Sequence, residues 1–156
     1  MSSKIDYCNS ILGHCPAYRI RQLQRVQNSC VRVLTRIPRF AHVTPLLHEL
    51  CWLPVPRRIE LKVCCFVHRC IYRSPPVPVY LQSLVRLADS SSVNISLRSQ
   101  DGPLLHQPLV HTKRSSGSFS VLGPRLWNSL PLKCRVEASL RRFKSILKVE
   151  PLNRSL

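Results

Sequence analysis

Residues 50–59, LCWLPVPRRI, leave the chain few backbone paths. Pro54 and Pro56 lack an N–H and fix φ, so a helix arriving from the N-terminal side cannot run on through them, whereas Pro56 is well suited to the first turn of a new helix. The chain must turn there, with Leu50, Trp52 and Leu53 as an apolar plug beside the turn. Residues 57–73 then read as a helix that is apolar around most of its circumference, the pattern of a helix passing through the centre of a core. The rest of the chain is expected to pack around it.

The flanking segments are read from spacing and breakers. Residues 4–12 predict a helix of two or three turns, closed by Gly13 and Pro16. Over residues 16–37, Ile20, Leu23, Val26, Cys30, Val33, Leu34 and Ile37 recur at three- and four-residue steps, predicting an amphipathic helix whose apolar stripe faces inward until Pro38 stops it. Thr44 as N-cap with Pro45 behind it predicts a short helix burying Leu46, Leu47 and Leu50. After the break SPPVP at 74–78, Tyr80, Leu81, Leu84 and Leu87 keep helical spacing, and 88–102 reads as a loop. Residues 104–110 are expected to form a short edge strand, limited by Pro108, with a partner near Leu97 or Phe119; 113–117 reads as a basic loop. Ser118 caps a helix through Val121, Leu122, Leu126 and Trp127, in which Pro124 is a kink or restart. Ser139 caps the last helix, with Leu140, Phe143, Ile146 and Leu147 inward, Arg141, Arg142, Lys144 and Lys148 outward, and Pro151 beyond its end. The fold class is therefore mainly α, a helical domain over 1–150 with a small irregular β segment around 97–119 and a tail at 151–156.

Charge points to the partner. Twenty-four Lys and Arg stand against seven Asp and Glu, a net charge of +17, which calls for a polyanion, with nucleic acid ahead of an anionic membrane. Arg21, Arg25, Arg32 and Arg36 are spaced four, seven and four residues apart, and Arg58, Lys62, Arg69 and Arg73 repeat that spacing. At about 100° per residue each set falls within roughly 60° of arc, so two basic ridges are expected. Neither ridge has an acidic residue at helical spacing, Glu60 lying elsewhere on the circumference, so each repels itself unless an anion lies along it. These eight residues are the expected phosphate contacts, with Lys113, Arg114, Arg141, Arg142 and Lys144 as a second tier. An ordinary solvated helix face is the competing account of each ridge.

No apolar run reaches the roughly 18 residues of a spanning helix, and residues 1–6 are not a signal peptide, so the chain is expected to be intracellular, nuclear or cytoplasmic. Eight irregularly placed cysteines without an export signal are expected as reduced core thiols. The seven carboxylates never cluster as two-metal phosphoryl transfer requires, and a Gly-rich phosphate loop and a serine elbow are both missing, so no enzyme activity is expected. Cys64 and His68 share a helix face and, with Cys51 or Cys30, resemble a metal-ligand set, but no CxxC pair supports it; the expectation is packed side chains, no metal and no cofactor. Aromatic content is low, and both Trp52 and Trp127 read as core, which favours phosphate contact over base readout.

Five strings in order, KIDYCNSIL at 4–12, RQLQRVQNSCVRVLTR at 21–36, HVTPLLHELCWLPVPRRIELKV at 42–63, SFSVLGPRLWNSLPL at 118–132 and SLRRFKSILK at 139–148, resemble the C-terminal region of reverse transcriptases of non-LTR (LINE-type) retrotransposons, the jockey-like group above all. The resemblance implies a region beyond the polymerase core, around and beyond the thumb, that helps to hold template RNA and target DNA; the alternatives are a helical interaction module that docks on the polymerase core of the parent element, and a relic reading frame without activity of its own. The family's catalytic box, an aromatic residue and Ala before two aspartates, belongs upstream, so no catalytic residue carries over. Met1 stands where such a protein is in mid-domain, and VEPLNRSL at 149–156 departs from the usual tail, which implies a truncated copy.

Overall fold

The computed structural model describes residues 6–73, 76–88, 102–112 and 115–149. An opening 3-10 helix, Asn9–His14, leads into α1 (Ala17–Thr35), α2 (Thr44–Glu49), α3 (Val55–Tyr72) and the single-turn α4 (Val79–Ser83). A 3-10 turn, Ser115–Gly117, then opens α5 (Phe119–Asn128), followed by α6 (Leu132–Arg135) and α7 (Leu140–Val149). The protein is mainly α, as its sequence predicts.

The central helix takes the position that its apolar circumference demands. α3 is contacted by the opening 3-10 helix and by α1, α4, α5 and α7, and its N-cap is Pro54, with a proline in the first turn. Its buried side chains point in nearly every direction; the exception is the strip of basic residues. The larger core cluster joins Cys64, Cys65 and Val67 of α3 to Leu105, Trp127, Leu130, Cys134, Phe143 and Leu147. Trp127 and Phe143 are fully buried with ring centroids 5.7 Å apart, and Trp127 donates its indole N–H to the Pro103 carbonyl at 2.8 Å. α5 lies close on α3: a Cβ on Gly123 would stand 2.9 Å from Val67 Cγ2. At Gly117 the approach is backbone to backbone, since a Cβ there would meet the Gly13 carbonyl oxygen at 2.6 Å.

The smaller cluster, Val31, Val43 and Leu47 with Leu46, Leu50 and Trp52 against it, holds α1 and α2. Here the structure departs from the sequence reading. Three residues of the predicted inward stripe of α1 are exposed, Val26 46%, Leu34 62% and Val33 78%, while Ile20, Leu23, Cys30 and Ile37 are half-buried; the buried positions are Gln27 and Val31, with Gln24 half-buried beside them. The prolines explain this. The turn before α3 leaves backbone groups without helical partners; Gln24 Oε1 accepts from the Val55 N–H at 2.8 Å, and Gln27 Nε2 donates to the Leu53 carbonyl at 2.9 Å. Satisfying buried backbone groups outweighs burying three more aliphatic side chains, so the helix is rolled about its axis.

Other differences are local. The opening segment is 3-10 rather than a longer α-helix, with Cys8 left-handed at its N-cap. Thr44 is the first residue of α2 and Val43 its N-cap, with no side-chain cap bond. α4 buries none of its residues, and Leu84 and Leu87 after it are exposed. Among the described residues there is no β-strand. Leu105 makes one antiparallel bridge, with Leu87, and its other edge is taken by the Asn128 amide, which donates to its carbonyl and accepts from its N–H. With both edges of one residue satisfied and Pro103 and Pro108 beside it, no ladder can extend. Phe119 opens α5, and Leu97 lies outside the described residues. Cys64, Cys65, Cys70 and Cys134 are buried, but Cys8 and Cys51 are exposed, so only part of the thiol set is core.

Candidate nucleic-acid interface

The ridge on α1 is looser than its spacing implies. Arg21 and Arg25 are exposed, Arg32 is half-buried, and Arg36 has left the helix as its left-handed C-cap, φ 52°. Arg73 does the same at the end of α3, with the same φ. Each therefore falls off the 60° arc, which assumed helical backbone at all four positions. A non-glycine residue in this conformation costs about 1–2 kcal/mol, offset in part by the favourable placement of a cation at a helix C-terminus.

On α3 the second ridge divides. Arg58 is an internal strut: its Nη1 lies 3.0 Å from both carboxylate oxygens of Asp6, its Nε donates to the Leu53 carbonyl at 2.8 Å, and its side chain is 10% exposed. Asp6, far away in sequence, thus supplies the counter-charge that helical spacing could not reveal. Lys62 and Arg69 remain open to a groove. Arg69 also donates to the Pro76 carbonyl at 3.2 Å, while its Nε is buried with no hydrogen-bond partner.

That groove, about 510 Å³, is lined by residues of α3 and α7 and, beside Arg58, by Asp6, Asn9, Cys51 and Leu53. α7 contributes Lys144 and Lys148 to the wall opposite Lys62 and Arg69, because burying Phe143 and Leu147 turns the i and i+4 lysines toward α3. Leu61, Cys65, Phe66 and Leu140 form an apolar floor. The Lys62 ammonium stands 5.5 Å from the Phe66 ring centroid. Burial pushes the Cys65 thiol up, against the smaller downward pull of Lys144, Lys62, Arg69 and Lys148. Four cations therefore face one buried sulfur. A second depression shares Leu140, Lys144 and Lys148 and extends the basic surface to Arg141 and Ser145.

The structure thus brings together Arg58, Lys62, Arg69 and Lys144 of the expected contacts, Arg58 being paired with Asp6, with Arg141 adjoining. It does not bring in α1, none of whose residues lines the groove among those described. Arg142, one position on from Arg141, is exposed and lines neither depression. Lys113 and Arg114 lie outside the described residues. Sequence reading missed Lys148, which its i+4 relation to Lys144 could have added, and also Asn9 and Phe66, for which the sequence holds no signal.

The metal-like pair proves to be core. Cys64 and His68 are fully buried, and burial pushes the Cys64 thiol well above its ordinary value. His68 Nε2 donates to the Glu137 carbonyl at 2.8 Å, and its ring lies between Tyr72 and Phe143 with centroids 4.6 and 4.5 Å away. Among the described residues no three His, Cys, Asp or Glu side chains are placed to hold a metal ion, and no helix is long and apolar enough to cross a membrane. Comparison with family models, curated proteins and solved structures found no match.

Proposed function

We propose that this chain is a non-catalytic nucleic-acid-binding module, intracellular, and equivalent to the C-terminal region of a LINE-type reverse transcriptase. The observation that carries the reading is the convergence of Lys62, Arg69, Lys144 and Lys148 on one groove, on a chain of net charge +17. Two packed helices fix where the cations are anchored, and each phosphate contact releases counterions. The test is a salt series with duplex DNA and structured RNA. Log affinity should fall steeply with log salt, and Lys62→Glu with Lys144→Glu should flatten the duplex slope by about 1.8, two contacts at about 0.9 each. Arg142→Glu should change it much less. A scrambled chain of equal composition that binds as tightly would overturn the reading.

A second reading, a helical protein-interaction module that docks on a polymerase core, is favoured by the outward face of α1, where Val33 is 78% exposed and Leu34 62%. If it holds, Val33→Glu with Leu34→Glu should abolish self-association in sedimentation while leaving the salt slope and the fold unchanged. Association that persists in that variant would count against it.

A further inference from the structure

We propose that the groove between α3 and α7 takes unpaired nucleotides, so that the chain prefers single-stranded to duplex nucleic acid. This inference rests on the nucleic-acid reading above. Phosphate contact needs only a cationic surface, but this site has depth and an apolar floor between its cationic walls. Its 510 Å³ lies within the roughly 300–1,000 Å³ typical of pockets that enclose a small molecule. A duplex offers phosphates and sugars outward and keeps its base faces stacked, so it would sit on the four cations and leave the floor formed by Leu61, Phe66 and Leu140 unfilled. A single strand can lay phosphates on the same cations and place a base face on that floor.

Two buried polar groups point the same way. Asn9 lines the groove, is 2% exposed, and its Oδ1 has no hydrogen-bond partner. Arg69 also lines the groove, and its Nε has no partner, although its Nη2 donates to the Pro76 carbonyl. Buried polar groups are ordinarily satisfied, and a base edge or sugar hydroxyl entering the groove supplies what Asn9 lacks. The only described carboxylate lining the site, Asp6, is engaged by Arg58, so it does not oppose an incoming phosphate.

The test compares an unstructured oligouridine with a hairpin duplex of equal phosphate number at one salt concentration, by fluorescence anisotropy. The single strand should bind roughly 5- to 150-fold more tightly, the range of one well-placed base contact. Phe66→Ala should erase the preference while keeping hairpin affinity, and its circular dichroism melt shows whether it is folded. Photocrosslinking of a 4-thiouridine strand to the unmodified chain is independent of any variant and should map to α3 and α7 around the groove. Equal affinity for strand and hairpin with a steep salt slope overturns the proposal and leaves the nucleic-acid reading standing, as do crosslinks confined to α1. Binding no tighter than that of a scrambled chain overturns both. Displacement of the strand by an acidic peptide of equal charge overturns the proposal in favour of a protein ligand.

Discussion

Trp127→Ala is expected to lose about 3–5 kcal/mol, the cost of truncating a fully buried aromatic residue, against the roughly 5–15 kcal/mol that holds a domain together. The indole packs on Phe143, with His68 beyond at 6.3 Å, and its N–H is the donor to the Pro103 carbonyl. Truncation leaves both a cavity and that carbonyl without its partner. Trp52 makes a sharp control, being only partly buried and packed against the smaller cluster. Urea unfolding followed by circular dichroism should place Trp127→Ala far below the parent, with Trp52→Ala losing less than half as much. Equal losses would show that the two clusters are not ranked as their burial implies.

The second large effect is on pH. Burial pushes His68 below its ordinary value near 6.5, against a smaller upward pull from Glu137 through its carbonyl and its charge. Above that value the ring is neutral whether the chain is folded or not. Between it and the lowered folded value the unfolded chain takes up a proton that the folded chain refuses, so stability falls as pH falls, by up to about 1.4 kcal/mol per pH unit. Glu60 acts in the opposite sense. Its carboxyl is raised by burial, against Arg57 at 3.1 Å and Arg125 farther off, so its own contribution is lost as pH rises from about 4.5 through its raised value. Urea midpoints from pH 7.5 down to 5 should therefore decline in the parent. In His68→Gln, which keeps a donor but cannot titrate, that decline should be clearly shallower. An unchanged decline would assign it to other groups.

Much of this fold was legible because proline and periodicity decide it. The turn at residues 52–54, the central placement of α3, the core role of Trp127, and the inward Phe143 and Leu147 of the last helix all follow from local pattern. What was not legible depends on pairs distant in the chain. No reading of α1 alone would turn Gln24 and Gln27 inward, because their partners are backbone groups 31 and 26 residues away. Arg58 reads as a phosphate contact until Asp6, 52 residues off, is found beside it. The groove was half visible: the spacing of Lys62 and Arg69 and the outward face of α7 were both in the sequence, but their meeting is a property of packing.

The rolled placement of α1 has a consequence for how the molecule breathes. α1 and α2 are fastened by the small cluster around Val31, Val43 and Leu47 and by two glutamine amides, whereas α3, α5 and α7 share the larger core. Segments with few buried apolar contacts open on their own, well below the free energy of global unfolding. Amide hydrogens of α1 and α2 are therefore expected to exchange ahead of those of α3, α5 and α7. The four groove cations sit on α3 and α7, within the part that stays closed.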